Sequence, residues 1–70
     1  MRAHITVVAN GTPVEVPENA SVEDLLHLLE LGGRWVLVER NGEPVPRDQL
    51  GSTRLDEGDR LELVRAVAGG

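Results

Sequence analysis

Seventy residues make one small domain, and a chain of this size buries only about 60% of its unfolded surface, so its core must be well patterned. The formal charge of −5 repels a phosphate backbone, and a single aromatic residue, Trp35, cannot build a stacking platform, so nucleic-acid binding is disfavoured. The absence of cysteine excludes disulfides, thiolate metal sites, a nucleophilic thiol and a persulfide carried on this chain.

All seven basic residues are arginine, which leaves no lysine for Schiff-base chemistry or to accept an isopeptide bond. The first residues alternate instead of forming an apolar run. They read as neither a signal peptide nor a membrane span, and a cytoplasmic protein with no membrane contact is the default expectation.

Residues 3–9 alternate as a strand, with Ile5, Val7 and Ala9 on one face and His4, Thr6 and Val8 on the other. Asn10-Gly11 signals a hairpin, because a type I′ turn needs positive φ at both central residues. A second strand is expected at about residues 13–17, where Val14 and Val16 alternate with Glu15 between prolines suited to an edge.

Ser21-Val22-Glu23-Asp24 opens a helix. Ser21 can accept from an orphan N–H, Asp24 stands at the reciprocal capping position, and two acids meet the positive end of the dipole. Val22, Leu25, Leu26 and Leu29 then recur at the spacing of one buried face, and Leu28 widens the stripe. Gly32-Gly33 is expected to stop the helix with a left-handed glycine cap. The stripe reads as core, not as a groove for a partner.

Residues 34–40 form a third strand, with Val36 and Val38 inside and Glu39 outside. Trp35 reads as a half-exposed cover residue, with a partner contact as the other reading. Asn41-Gly42 is a second hairpin turn, residues 43–45 a very short strand, and residues 46–50 a loop or single helical turn. Leu55 anchors the segment before the turn cluster Asp56-Glu57-Gly58-Asp59. The final strand is expected over residues 60–67, with Leu61, Leu63 and Val67 facing inward.

Two hairpins flank one helix, with no repeat and no linker, so the helix must pack on one face of one sheet. That is an α+β two-layer domain. Antiparallel hairpins joined by one crossing helix give the ubiquitin-like β-grasp, a mixed sheet with one main helix on one face. The placement of the last strand beside the first follows from that fold and not from periodicity.

Little in the chain suits a catalyst. His4 and His27 lack metal-ligand spacing and read as surface residues. Asp56, Glu57 and Asp59 do not have the spacing of an EF-hand loop, and a turn bounding a strand accounts for them. Ser21 is a cap with no histidine placed to activate it. Gly32-Gly33 follows a helix and is no phosphate loop.

What remains is the stretch Ala68-Gly69-Gly70 and the carboxylate expected on Gly70. Glycine has no Cβ, so this tail is thin enough to lie in a narrow channel. Extended, residues 66–70 reach up to about 17 Å from the strand that anchors them. A carboxylate becomes an electrophile once an ATP-dependent partner converts it to an acyl-adenylate, which sulfur or an amine can then attack.

The whole chain resembles the ThiS-type sulfur carriers of thiamine biosynthesis. The matching pieces are Ser21-Val22-Glu23-Asp24-Leu25-Leu26, Asn41-Gly42 followed by Val45-Pro46-Arg47, Glu57-Gly58-Asp59, and Val64-Arg65-Ala66-Val67-Ala68-Gly69-Gly70. The resemblance implies a carrier domain over residues 1–67 and a flexible tail over 68–70. It implies that Gly70 is adenylated by a ThiF-type, E1-like enzyme and converted to a thiocarboxylate, with Ala68 and Gly69 threading the tail into the partner. The sulfur would come from a cysteine desulfurase or a rhodanese-like protein and pass to a thiazole synthase of the ThiG type.

On this reading the chain is a protein cosubstrate and not an enzyme. It binds no cofactor or metal itself, and ATP is used by the activating partner. Docking is expected through Leu61, Leu63 and Val64, against a partner face rich in arginine or lysine. Arg40 stands where the family more usually has an apolar residue. Alternatives are the small subunit of molybdopterin synthase, a tRNA-thiolation carrier or ubiquitin-like modifier, and, outside this class, a plain interaction domain.

Overall fold

Asn10 and Gly11, at φ of 50° and 83°, both occupy the left-handed region, as a type I′ turn requires. That turn pairs β1 (His4–Ala9) antiparallel with β2 (Thr12–Pro17), from Ala9 opposite Thr12 to His4 opposite Pro17. Asn41 and Gly42, at 52° and 86°, repeat the device between β3 (Val36–Arg40) and β4 (Glu43–Val45). The structure is a computed structural model that describes residues 3–32 and 35–65.

Between the hairpins lies α1 (Val22–Leu28). Its start is the expected capping box: the Asp24 N–H donates to Ser21 Oγ at 3.1 Å, and the Ser21 N–H donates to the Asp24 carboxylate at 2.9 Å. Its end differs from expectation. The helix stops before Gly32, with Leu29 as C-cap and Glu30 at a left-handed φ of 60°. The Glu30 N–H donates to the His27 carbonyl at 3.0 Å and the Leu31 N–H to the Leu26 carbonyl at 2.7 Å, the two bonds of a Schellman motif. Satisfying these last-turn carbonyls offsets the strain of a non-glycine residue at that position. Gly33 lies outside the described residues.

Leu28 also departs from the expected stripe and is 54% exposed. Val22, Leu25 and Leu26 are the buried residues of the helix, and at about 100° per residue Leu28 sits roughly 110° from the centre of that face. Leu29 is only partly buried. A 3₁₀ turn at Arg47–Gln49 occupies the segment expected as a loop or helical turn.

The five strands form one sheet in the order β2-β1-β5-β3-β4, where β5 is Arg60–Arg65. β5 lies parallel to β1 and antiparallel to β3, in register from Arg40 opposite Leu61 to Val36 opposite Arg65. The last strand therefore enters the middle of the sheet, as the β-grasp reading requires. Ile5, Val7, Ala9, Val16, Val36, Val38, Leu61 and Leu63 face α1 and join Ala20, Leu55 and the helix stripe in one core. Each fully buried leucine or valine there contributes about 2 kcal/mol. Val67, expected to face inward, lies outside the described residues.

Candidate functional site

The expected reactive group, Gly70, and the tail residues Ala68 and Gly69 lie outside the described residues. The structure describes the platform that carries them, β5 and its neighbours. Along β5, side chains alternate between core and solvent. Leu61 is 1% exposed and Leu63 is 7% exposed, so both belong to the core. This corrects their assignment to docking: a residue buried in the core offers no surface to a partner. Val64, of opposite parity, is 56% exposed and is available for contact.

Val64 does not stand alone. Leu37, directly opposite on β3, is 65% exposed. The pair forms an apolar rung on the outer face of the sheet, one residue before Arg65. Leu37 was legible in principle, because Val36 and Val38 facing inward put it outside. The next rung is Glu39 opposite Glu62, both exposed. Like charges directly opposite are mutually destabilising, and neither carboxylate has a salt-bridge partner among the described residues. The outer face thus grades from acidic to apolar toward the end of β5.

The start of β5 is fixed by a buried carboxylate. Asp59 accepts from Arg40 Nε at 2.8 Å, from the Asp56 N–H at 2.8 Å and from the Asn41 side-chain amide at 3.1 Å. Partial desolvation pushes its pKa up, but the Asp56 N–H, the Asn41 amide and Arg40 outweigh this and hold it below the usual carboxylate value. Arg40 also reaches Asp56 at 3.0 Å. The acidic cluster is the expected turn before a strand, with Gly58 at φ 83°. Sequence reasoning missed that Asp59 is buried and that Arg40 answers it.

Both turn asparagines hold β5 by their side chains. The Asn10 amide donates to the Leu63 carbonyl at 3.0 Å, and its oxygen accepts from the Leu63 N–H at 2.8 Å. The Asn41 oxygen accepts from the Arg60 N–H at 2.9 Å. The Asn-Gly signal indicated the turns and gave no sign of this second use.

Trp35 is 68% exposed and so covers no core, contrary to its first reading; the Arg47 guanidinium lies 3.9 Å from its ring centroid. His4 and His27 are exposed, and among the described residues no group of three or more His, Asp or Glu is placed to hold a metal. The Asp24 carboxylate is occupied by the backbone N–H of Ser21, which lowers its pKa. Among the described residues no helix is long and apolar enough to cross a membrane.

The profile of the ThiS family matches residues 5–70. The fold is similar to the crystal structure of a thiamine biosynthesis protein, ThiS, from Geobacter metallireducens, with a TM-score of 0.79 and 32% identity, covering 94% of this chain and 100% of that one. A protein called ycf40 from Pyropia yezoensis is 31% identical over 70 residues, 100% of this chain and 99% of that protein. A thiazole synthase of Paramagnetospirillum magneticum is 38% identical over 64 residues, 91% of this chain and 20% of that protein. This chain thus spans about a fifth of the thiazole synthases it matches. Matched along nearly its whole length in sequence and in fold, the chain belongs to the ThiS family and has the sulfur-carrier fold of that family.

Proposed function

We propose that this chain is the sulfur carrier of thiazole synthesis, acting in the cytoplasm as a protein cosubstrate. The observation that carries the reading is the ThiS match extending through residue 70, so that it includes Gly69-Gly70. A carboxylate oxygen of Gly70 attacks the α-phosphate of ATP on a ThiF-type enzyme, pyrophosphate leaves, and an acyl-adenylate forms. The terminal sulfur of a persulfide on a cysteine desulfurase or rhodanese-like donor attacks the carbonyl, AMP leaves, and an acyl disulfide with the donor forms. A thiol reductant then cleaves its S–S bond, ending in a disulfide with the donor's cysteine, and the thiocarboxylate remains. The chain's own contribution is a slender tail on a rigid strand, with Val64 and Leu37 beside its root. Thiazole synthase is the proposed receiver, supported by relatives of that name in which a segment like this chain makes up a fifth of the protein.

Intact mass after incubation with a ThiF-type enzyme, ATP and a sulfur source tests this. The expected product is heavier by the exchange of one oxygen for sulfur, located by fragmentation to Gly70. An unchanged mass, with the enzyme active on another carrier, overturns the thiazole assignment and turns attention to molybdopterin and tRNA-thiolation partners.

A further inference from the structure

β5 is held differently on its two edges. On the β3 edge, backbone pairing covers every described residue of β5 from Leu61 to Arg65. On the β1 edge, the parallel register comprises Val8 with Arg60 and Ala9 with Leu61. The ladder there continues through the Asn10 N–H, which donates to the Leu61 carbonyl at 2.9 Å, and then the chain turns away at Gly11. Leu63, the next residue of β5 with its backbone toward that edge, would be left with an unpaired N–H and C=O.

The Asn10 side chain supplies both partners. Its Oδ1 accepts from the Leu63 N–H at 2.8 Å and its Nδ2 donates to the Leu63 carbonyl at 3.0 Å. A primary amide has the donor and acceptor of a peptide group, so it stands in for the peptide that β1 would present had it run on. The left-handed φ at Asn10 turns the backbone away into the hairpin while the side chain keeps the ladder direction. This clamp sits two residues before Arg65, on the strand that leads to residues 66–70.

We infer that Asn10 is a positioning residue for the activated carboxylate: its side-chain amide fixes β5 at Leu63, on the strand that leads in sequence to Gly70. The inference rests on the reading of Gly70 as the activated group. A carboxylate that must meet a nucleotide gains rate when the strand that carries it is held fixed, because small misplacements of reacting atoms cost large factors in rate. Asn41 is the natural control. It also sits at positive φ before a glycine and also binds β5 by its side chain, but at Arg60, at the far end of the strand from the tail.

The test compares Asn10→Gly with Asn41→Gly. Glycine accepts positive φ without strain, so each substitution removes the clamp and keeps the turn. Amide hydrogen exchange at Leu63 should rise at least about tenfold in Asn10→Gly and stay unchanged in Asn41→Gly, measured where both remain folded. With a ThiF-type enzyme and ATP, the turnover number for adenylation should fall on the order of tenfold for Asn10→Gly at similar KM, and hold for Asn41→Gly.

A purely structural role predicts that the two variants behave alike, with turnover unchanged while both are folded; that outcome overturns the inference, as does unchanged exchange at Leu63. If wild type itself is never adenylated, the carrier reading fails. The exchange experiment reports on the clamp independently of that result.

Discussion

Arg40 and Asp59 form a charge pair in which Nε lies 2.8 Å from Oδ2, with the carboxylate buried at the foot of β5. The pair explains why an arginine can stand at position 40. It answers a carboxylate that also orders the preceding turn through the Asp56 N–H and the second hairpin through the Asn41 amide. Asp59→Ala strands these donors and leaves Arg40 without its buried partner. The expected loss is about 3 kcal/mol in urea denaturation, without change of fold. A loss under about 0.5 kcal/mol would show that solvent replaces the carboxylate at little cost.

Asp59 and Asp24 both have pKa values lowered from the ordinary 3.8. A carboxyl depressed in the folded state binds fewer protons there than in the unfolded chain. It therefore contributes stability above the unfolded pKa, and that contribution disappears as pH falls through the folded value. Stability should be flat with respect to these groups near neutrality and should decline below about pH 5. Asp59→Asn should start lower and decline less steeply over the same range, as followed by thermal unfolding from pH 7 to pH 2.

Leu37 and Val64 are cross-strand neighbours on the outer face, whereas Leu63 is in the core. Leu37→Ser and Val64→Ser should each change stability by no more than about 0.5 kcal/mol. Leu63→Ala should cost about 3 kcal/mol, the cavity and transfer cost of a buried leucine. If the outer rung meets the adenylating enzyme, the two serine variants should raise its KM while their melting curves hold. Unchanged KM in both would remove this rung from the docking surface.

Glu39 and Glu62 face each other without a counter-ion among the described residues. Glu62→Gln should therefore raise stability by about 0.3 kcal/mol by relieving repulsion. A partner with a basic face would respond in the opposite sense: slower association and a weaker salt dependence of binding. Titration of association rate against ionic strength separates the two effects. A salt dependence identical to wild type would mean that this rung lies outside the interface.

Among the described residues the core runs from Ile5 to Leu63, and Gly69 and Gly70 have no side chain to bury. Deleting the pair should leave the unfolding midpoint unchanged and abolish thiocarboxylate formation. Retained function in cells depending on this chain for thiamine would identify a plain interaction domain instead.

The order of elements, both type I′ turns, the capping box and the inward sets on β1 and β3 were determined by the sequence alone. Each is set by contacts within a few residues: alternation fixes which face a strand side chain takes, Asn-Gly accepts positive φ, and Ser21 and Asp24 lie one turn apart. The Gly69-Gly70 signal and the family resemblance were legible in the same way.

Tertiary structure decided the rest. Leu61 and Leu63 showed an alternating pattern that fitted both core and docking, and only their burial in the assembled core decided between the two. The helix stop at Glu30, where glycine at 32–33 was expected, depended on which turn left its carbonyls to be satisfied. The pairing of Arg40 with Asp59, and the reach of Asn10 across 53 residues to Leu63, join segments brought together only when β5 enters the centre of the sheet. Long-range pairs of this kind leave no local periodicity, because the partner's position is set by topology and not by spacing along the chain.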